Sequence, residues 1–151
     1  MAKDGISRKD IEHFGEMGKD IIRVIGKANK LFLYDLWDYV AMETPVYTGT
    51  LRYSWRMTPG KTSSYKATPA KVRVSKGQVY RAYPDPKRPN LEKYTDRWNQ
   101  FFLTNNQGYT QVVNDDERKA GYGYPNTYGW IERGIDTALA RARSRDLNKI
   151  K

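Results

Sequence analysis

The feature that most restricts what this chain can become is a single apolar stripe near its N-terminus. Ile11, Phe14, Met17, Ile21, Ile25, Ala28, Phe32, Leu36 and Val40 recur at intervals of three and four residues, the repeat that puts side chains on one face of an α-helix. Ser7 and Asp10 make a capping pair for its first turn. Thr44-Pro45 supplies the stop, because the residue before a proline is driven out of the helical region. Unbroken from Ser7 to Glu43, such a helix would span about 55 Å. Gly15, Gly18 and Gly26 each weaken it by about 1 kcal/mol relative to alanine, so the stripe also admits a kink or two shorter helices.

Beyond Pro45 the pattern shortens. Thr48 is placed to cap a short helix that carries Leu51 and Trp55, four apart, toward the core. A Ser, Thr, Lys and Gly rich stretch runs from Pro59 to Pro69, and two strand candidates follow, the alternating 71–75 and the Val- and Tyr-bearing 78–83. Pro84, Pro86 and Pro89 remove donors and fix φ, so 84–90 is predicted to be an ordered surface loop. It opens a surface insertion around 84–98 whose later part, 91–98, is a short-helix candidate. Residues 101–104 and 110–113 are expected to pair as strands across the turn-rich Asn105-Asn106-Gln107-Gly108. The segment 121–125 is predicted to be a loop and 127–132 a short helical turn, with Gly134 closing it in the left-handed conformation. From Ile135, Leu139 and Ala142 mark a weakly amphipathic helix whose basic end suits the negative end of a helix dipole. No internal repeat is visible. The expected architecture is one α+β domain over 1–151: a long N-terminal helix, an antiparallel β-sheet with short helices, and a C-terminal helix.

Composition removes most chemistry. With no Cys and one His, thiolate zinc sites, disulfides and cysteine nucleophiles are excluded, and His13 alone cannot build a triad or a facial metal site. No run approaches the roughly 18 apolar residues of a membrane span. Met1–Gly5 lacks a signal peptide's apolar segment, so the expectation is a chain made and used in a cytoplasm. The formal charge of +10 is unevenly spread. Lys and Arg against Asp and Glu number 7 and 8 over 1–44, 11 and 2 over 45–93, 3 and 5 over 94–132, and 6 and 2 over 133–151. The basic blocks suit polyanions, whether DNA phosphates or acidic protein faces, and serve solubility as well.

The remaining motifs are weak as chemistry. Asp85 with Glu92 and Lys93 has the wrong spacing for a metal-dependent nuclease, whose acid and lysine stand one residue apart; surface carboxylates explain them. Asp115-Asp116-Glu117 crowds its oxygens where a calcium loop spreads them, and reads as a solvated acidic turn. Gly121, Gly123 and Gly129 lack the strand, helix and Lys-Ser/Thr pair of a nucleotide loop.

Two stretches carry a family likeness. Thr44-Pro45-Val46-Tyr47-Thr48-Gly49-Thr50-Leu51-Arg52-Tyr53-Ser54 follows the long helix, and Val112-Val113-Asn114 followed by Tyr128-Gly129-Trp130-Ile131-Glu132-Arg133-Gly134 precedes the terminal helix. In that order they resemble the signatures of the tail-completion (neck, head–tail joining) proteins of long-tailed bacteriophages: Pro then Thr-Gly and Leu-Arg-x-Ser, a strand ending in Asn, then Tyr, a small residue and Glu-x-Gly. Gly129 stands where that family has Ala, and the stretches 84–98 and 115–126 are longer.

The resemblance implies a structural virion protein without catalytic activity, cofactor or metal. It implies a homo-oligomeric ring, six copies in the expected case, between head connector or adaptor proteins and the tail terminator or tube, with packaged DNA passing through its lumen. The motif residues to watch are Pro45, Thr48, Gly49, Leu51, Arg52, Ser54, Asn114, Tyr128, Glu132 and Gly134. The candidate lumen-facing bases are Lys61, Lys66, Lys71, Arg73, Lys76, Arg141, Arg143 and Arg145. Such a protein is assembled in the host cytoplasm and resides in the virion. The alternative is a small basic DNA-binding protein, suggested by basic residues interleaved with Tyr65, Tyr80 and Tyr83 but accompanied by no reading-helix motif.

Overall fold

A computed structural model of the 151-residue chain describes residues 7–46, 48–71, 82–92, 100–115 and 129–150. The long helix, α1, runs Arg8–Leu36 without a break at its glycines. Its start is the capping box expected from the sequence: the Ser7 hydroxyl accepts from the Asp10 backbone N–H at 3.2 Å, and the Asp10 carboxylate accepts from the Ser7 backbone N–H at 2.9 Å. At its far end the coil widens into a π-helical segment, Trp37–Ala41, closed by the Met42 N–H donating to the Trp37 carbonyl. Trp37, Val40 and Ala41 are all buried there. The Thr44 hydroxyl donates to the Val40 carbonyl at 2.9 Å, which occupies a helix-end acceptor just before Pro45 turns the chain away.

A four-residue helix, α2, spans Thr50–Tyr53. Its N-cap position belongs to Gly49, not to the expected Thr48. Gly49 has φ 80°, and a Cβ on it would stand 2.8 Å from the Tyr83 carbonyl oxygen, so both conformation and space require glycine. Thr48 contributes from one residue earlier, sharing a 2.8 Å hydrogen bond with the Thr50 hydroxyl. Leu51 and Trp55 are 6% and 5% exposed, in the core as anticipated, although α2 ends before Trp55.

The sheet corrects the sequence reading. Strand β1, Arg56–Pro59, pairs antiparallel with β2, Phe101–Thr104, in the register Arg56 to Thr104 and Pro59 to Phe101. The expected partner of β2, 110–113, is instead helix α3, Thr110–Asp115, so Asn114 ends a helix and not a strand. The connector explains this: the Thr110 N–H and hydroxyl both donate to the Gln107 carbonyl, at 3.0 and 2.7 Å, and the Val113 N–H donates to the Tyr109 carbonyl at 2.9 Å. These bonds start a helix, and they leave β2 to pair with distant β1.

The last long helix, α4, runs Trp130–Ser144, absorbing both the expected turn ending at Glu132 and the helix expected from Ile135. Gly129, with φ 62°, precedes it. Gly134 is therefore inside α4 and caps nothing. A Cβ there would fall 2.5 Å from the Tyr39 carbonyl oxygen, so glycine is what lets α4 lie against the π segment. Trp37, Val40, Ala41, Leu51, Trp55 and Trp130 form the core, flanked by Leu36, Met42, Met57, Leu103, Val113 and Ile131. A short 3-10 turn, Leu147–Lys149, follows α4. The predicted features at 72–81, 93–98 and 116–128, with Arg73, Lys76, Lys93 and Tyr128 among them, lie outside the described residues. Among the described residues no helix is long and apolar enough to cross a membrane.

Candidate functional site

The first motif stretch wraps the end of the long helix. Arg52 donates from Nε and Nη2 to the Thr44 carbonyl at 3.0 and 2.8 Å, and from Nη1 to the Asp85 carboxylate at 3.1 Å. One guanidinium thus closes an orphaned carbonyl past the helix end and ties down the proline loop. The Trp55 indole N–H donates to the Thr44 hydroxyl at 2.6 Å. Ser54, fully buried, donates to the Thr50 carbonyl at 2.7 Å and accepts from the Gln107 amide at 2.7 Å and the Ala67 N–H at 3.3 Å. Pro45 is half-buried beside this network.

The second stretch makes its own clasp. The Asn114 amide donates to both Glu132 carboxylate oxygens, at 3.0 and 2.8 Å, while its side-chain oxygen accepts the Ile131 backbone N–H at 3.1 Å. Asn114 is 1% exposed, so it satisfies a first-turn donor of α4 while its partner Glu132 sits at that helix's positive end. The two residues stand 18 apart in the chain, and nothing local to either announces the pairing. The Trp130 indole reaches the Val40 carbonyl at 3.2 Å, and Gly134 contacts the same π segment. Both motif stretches therefore converge on 37–44, and their polar groups are engaged in holding the fold together.

The nuclease-like residues do not assemble. Asp85 pairs with Arg52, Glu92 is exposed, and His13 stands exposed on α1. Among the described residues no group of three His, Cys, Asp or Glu side chains could hold a metal ion. The proline loop is ordered as predicted. Arg88 pairs with Asp38 at 2.8 Å and lies 4.2 Å above the Tyr34 ring, and the Leu91 N–H donates to the Tyr34 hydroxyl at 3.1 Å.

The candidate basic residues divide. Lys61, Lys66 and Lys71 are exposed on the coil after β1, and Arg143 is exposed near the end of α4. Arg145 is turned inward to pair with buried Asp35, and Arg141 donates to the Tyr39 hydroxyl at 2.8 Å. Those two arginines clamp α4 to α1 and the adjoining π segment. Arg56 is likewise engaged, 3.6 Å above the Tyr65 ring, while Tyr53 stacks on Tyr83 at 5.0 Å. Desolvation raises the Tyr65 hydroxyl pKa above its ordinary value, with the Arg56 charge acting in the opposite direction.

Two surfaces are left uncovered by this scaffold. One is the N-terminal part of α1, where Ile11, Phe14, Met17, Ile21 and Ile22 are exposed, Ile11 and Phe14 at 62% and 64%. The other is a groove of about 420 Å³ between the proline loop and the core, with Trp37, Trp55 and Met57 as floor, Pro84, Pro86 and Pro89 as wall, and Arg56 and Lys87 among its lining. Sequence periodicity marks the stripe without saying what it faces; the groove, built from segments far apart in sequence, leaves no local trace. Comparison with protein-family models, curated proteins and solved structures finds no match to this chain.

Proposed function

We propose that the chain is a structural subunit of a phage neck: a homo-oligomeric ring that completes the tail and joins it to the head connector, with DNA passing through the lumen. The observation that carries this reading is the exposed apolar stripe of α1. A fold that buries three tryptophans yet leaves Phe14 64% exposed on a capped, continuous helix has a surface suited to other protein. The family likeness supports the same reading, since its described motif residues support a scaffold in which no reactive constellation is formed. The ring is taken to have six copies, to meet connector or adaptor proteins on one side and tail terminator or tube proteins on the other, and to perform no chemistry.

Lys61, Lys66, Lys71 and Arg143 are the described residues best placed to attract phosphates diffusely, without reading bases. Light scattering of the purified chain, followed by imaging of particles containing it, tests the proposal. A ring, or assembly at the head–tail junction, is expected; a monomer absent from that junction overturns it. The exposed lysines beside Tyr65 favour the alternative of a small DNA-binding protein, for which a monomer with steep salt-dependent DNA affinity is the expected result.

A further inference from the structure

The stripe and the groove are complementary, and we infer that the N-terminal half of α1 in one copy docks into the aromatic and proline-lined groove of the next copy, with Phe14 as its central anchor. The inference rests on the reading that the chain assembles with itself, but not on which particle it builds.

Three observations carry it. First, the stripe cannot serve its own groove. Phe14 and Trp37 are separated along one unbroken helix by about 35 Å at 1.5 Å per residue, so the exposed end points away from the pocket that Trp37 lines. Second, the charges match. Residues 10–20 carry Asp10, Glu12, Glu16 and Asp20 against Lys19 alone, whereas the groove is lined by Arg56 and Lys87 within the stretch that holds 11 basic and 2 acidic residues. Third, the sizes match. A cavity of about 420 Å³ lies in the range, roughly 300–1,000 Å³, of sites that enclose a small molecule or a few side chains, and aromatic anchors in such pockets dominate interface energy. A contact between two different patches is head-to-tail, and repeated with a closing rotation it generates a ring; stripe packed on stripe would stop at a two-fold dimer and leave the groove empty.

The absence of cysteine makes the test clean. Phe14→Cys and Lys87→Cys chains, mixed and treated with a short thiol-reactive cross-linker, are expected to join to each other, and neither is expected to join to itself. Phe14→Asp and Lys87→Glu are each expected to weaken self-association by about tenfold or more, with unchanged helical signal and melting midpoint, since neither side chain supports the fold. Self-joining of Phe14→Cys, a monomeric wild type, or full association of both charge variants overturns the inference. Specific cross-linking in a chain that proves foreign to the phage neck would leave this contact standing and remove only the neck reading.

Discussion

Toward its C-terminal end α1 is held from several directions: Arg145 pairs with Asp35, Arg88 lies on Tyr34 and pairs with Asp38, and Gly134 brings α4 against the adjoining π segment. Toward its N-terminal end the apolar residues that continue the stripe face outward. The two regions obey one periodicity and have opposite surroundings. What differs is the rest of the chain. The Thr-Gly segment, the proline loop and α4 all gather around 34–44, and in the described residues the apolar side chains from 11 to 22 remain largely uncovered. Helical spacing of apolar residues thus identifies a face without identifying what covers it.

The sharpest way to break the contrast is Trp55→Ala. Removing a ring 5% exposed and its hydrogen bond to Thr44 should destabilise the fold by about 3–5 kcal/mol, read as a fall in the thermal midpoint. A midpoint within about a degree of wild type would mean the core is elsewhere. Gly134→Ala follows, at about 1–3 kcal/mol, because the new methyl meets the Tyr39 carbonyl carbon and oxygen, which are backbone and cannot swing aside.

Its counterpart in the projecting region has the opposite sign. Gly18→Ala meets nothing within 4 Å, so alanine's helix preference should stabilise α1 locally by up to about 1 kcal/mol, measured as slower amide exchange between residues 14 and 22. Equal losses in both glycine variants would erase the distinction between the two regions.

The smallest effect is at the cap. Hydrogen bonding from the Ser7 hydroxyl, and then from the Ser7 backbone N–H, holds the Asp10 carboxyl below its ordinary value. A lowered folded pKa means that its contribution is present above the unfolded value, near about 4, and is lost as pH falls through the folded one. Acid titration should fray the first turn of α1 in the wild type and change nothing further in Asp10→Asn, as followed by the amide resonances of residues 8–12.

These particulars also show what a linear reading can and cannot reach. The capping box, the stripe and the Thr44-Pro45 stop are local, each decided by residues close in sequence, and all three are legible. The proline loop is legible for the same reason. The fate of 110–113 is not: Val112 and Val113 favour a strand when read alone, and the deciding facts are the hydrogen bonds of Thr110 to Gln107 and the availability of 56–59 as a partner for β2. Glycine near a helical turn usually means a cap, whereas the reason for Gly134 lies on Tyr39, far along the chain. The pairing of Asp85 with Arg52 depends on a turn of the chain that spacing does not encode. Of the uncovered surfaces, the stripe is visible as a pattern and the groove is not, since its floor and its proline wall come from separate parts of the sequence.

The 29-residue length of α1 has a mechanical consequence. The helix is about 43 Å long, and a tilt of about 5° at its anchored root would sweep its tip sideways by about 4 Å, the width of a side chain. A lever of that ratio turns any slack at its pivot into misplacement at its tip. The crowding of Trp37, Val40, Gly134 and the Arg145–Asp35 pair around the pivot is therefore also an aiming device: stiffness there sets how accurately Phe14 is presented to whatever it meets.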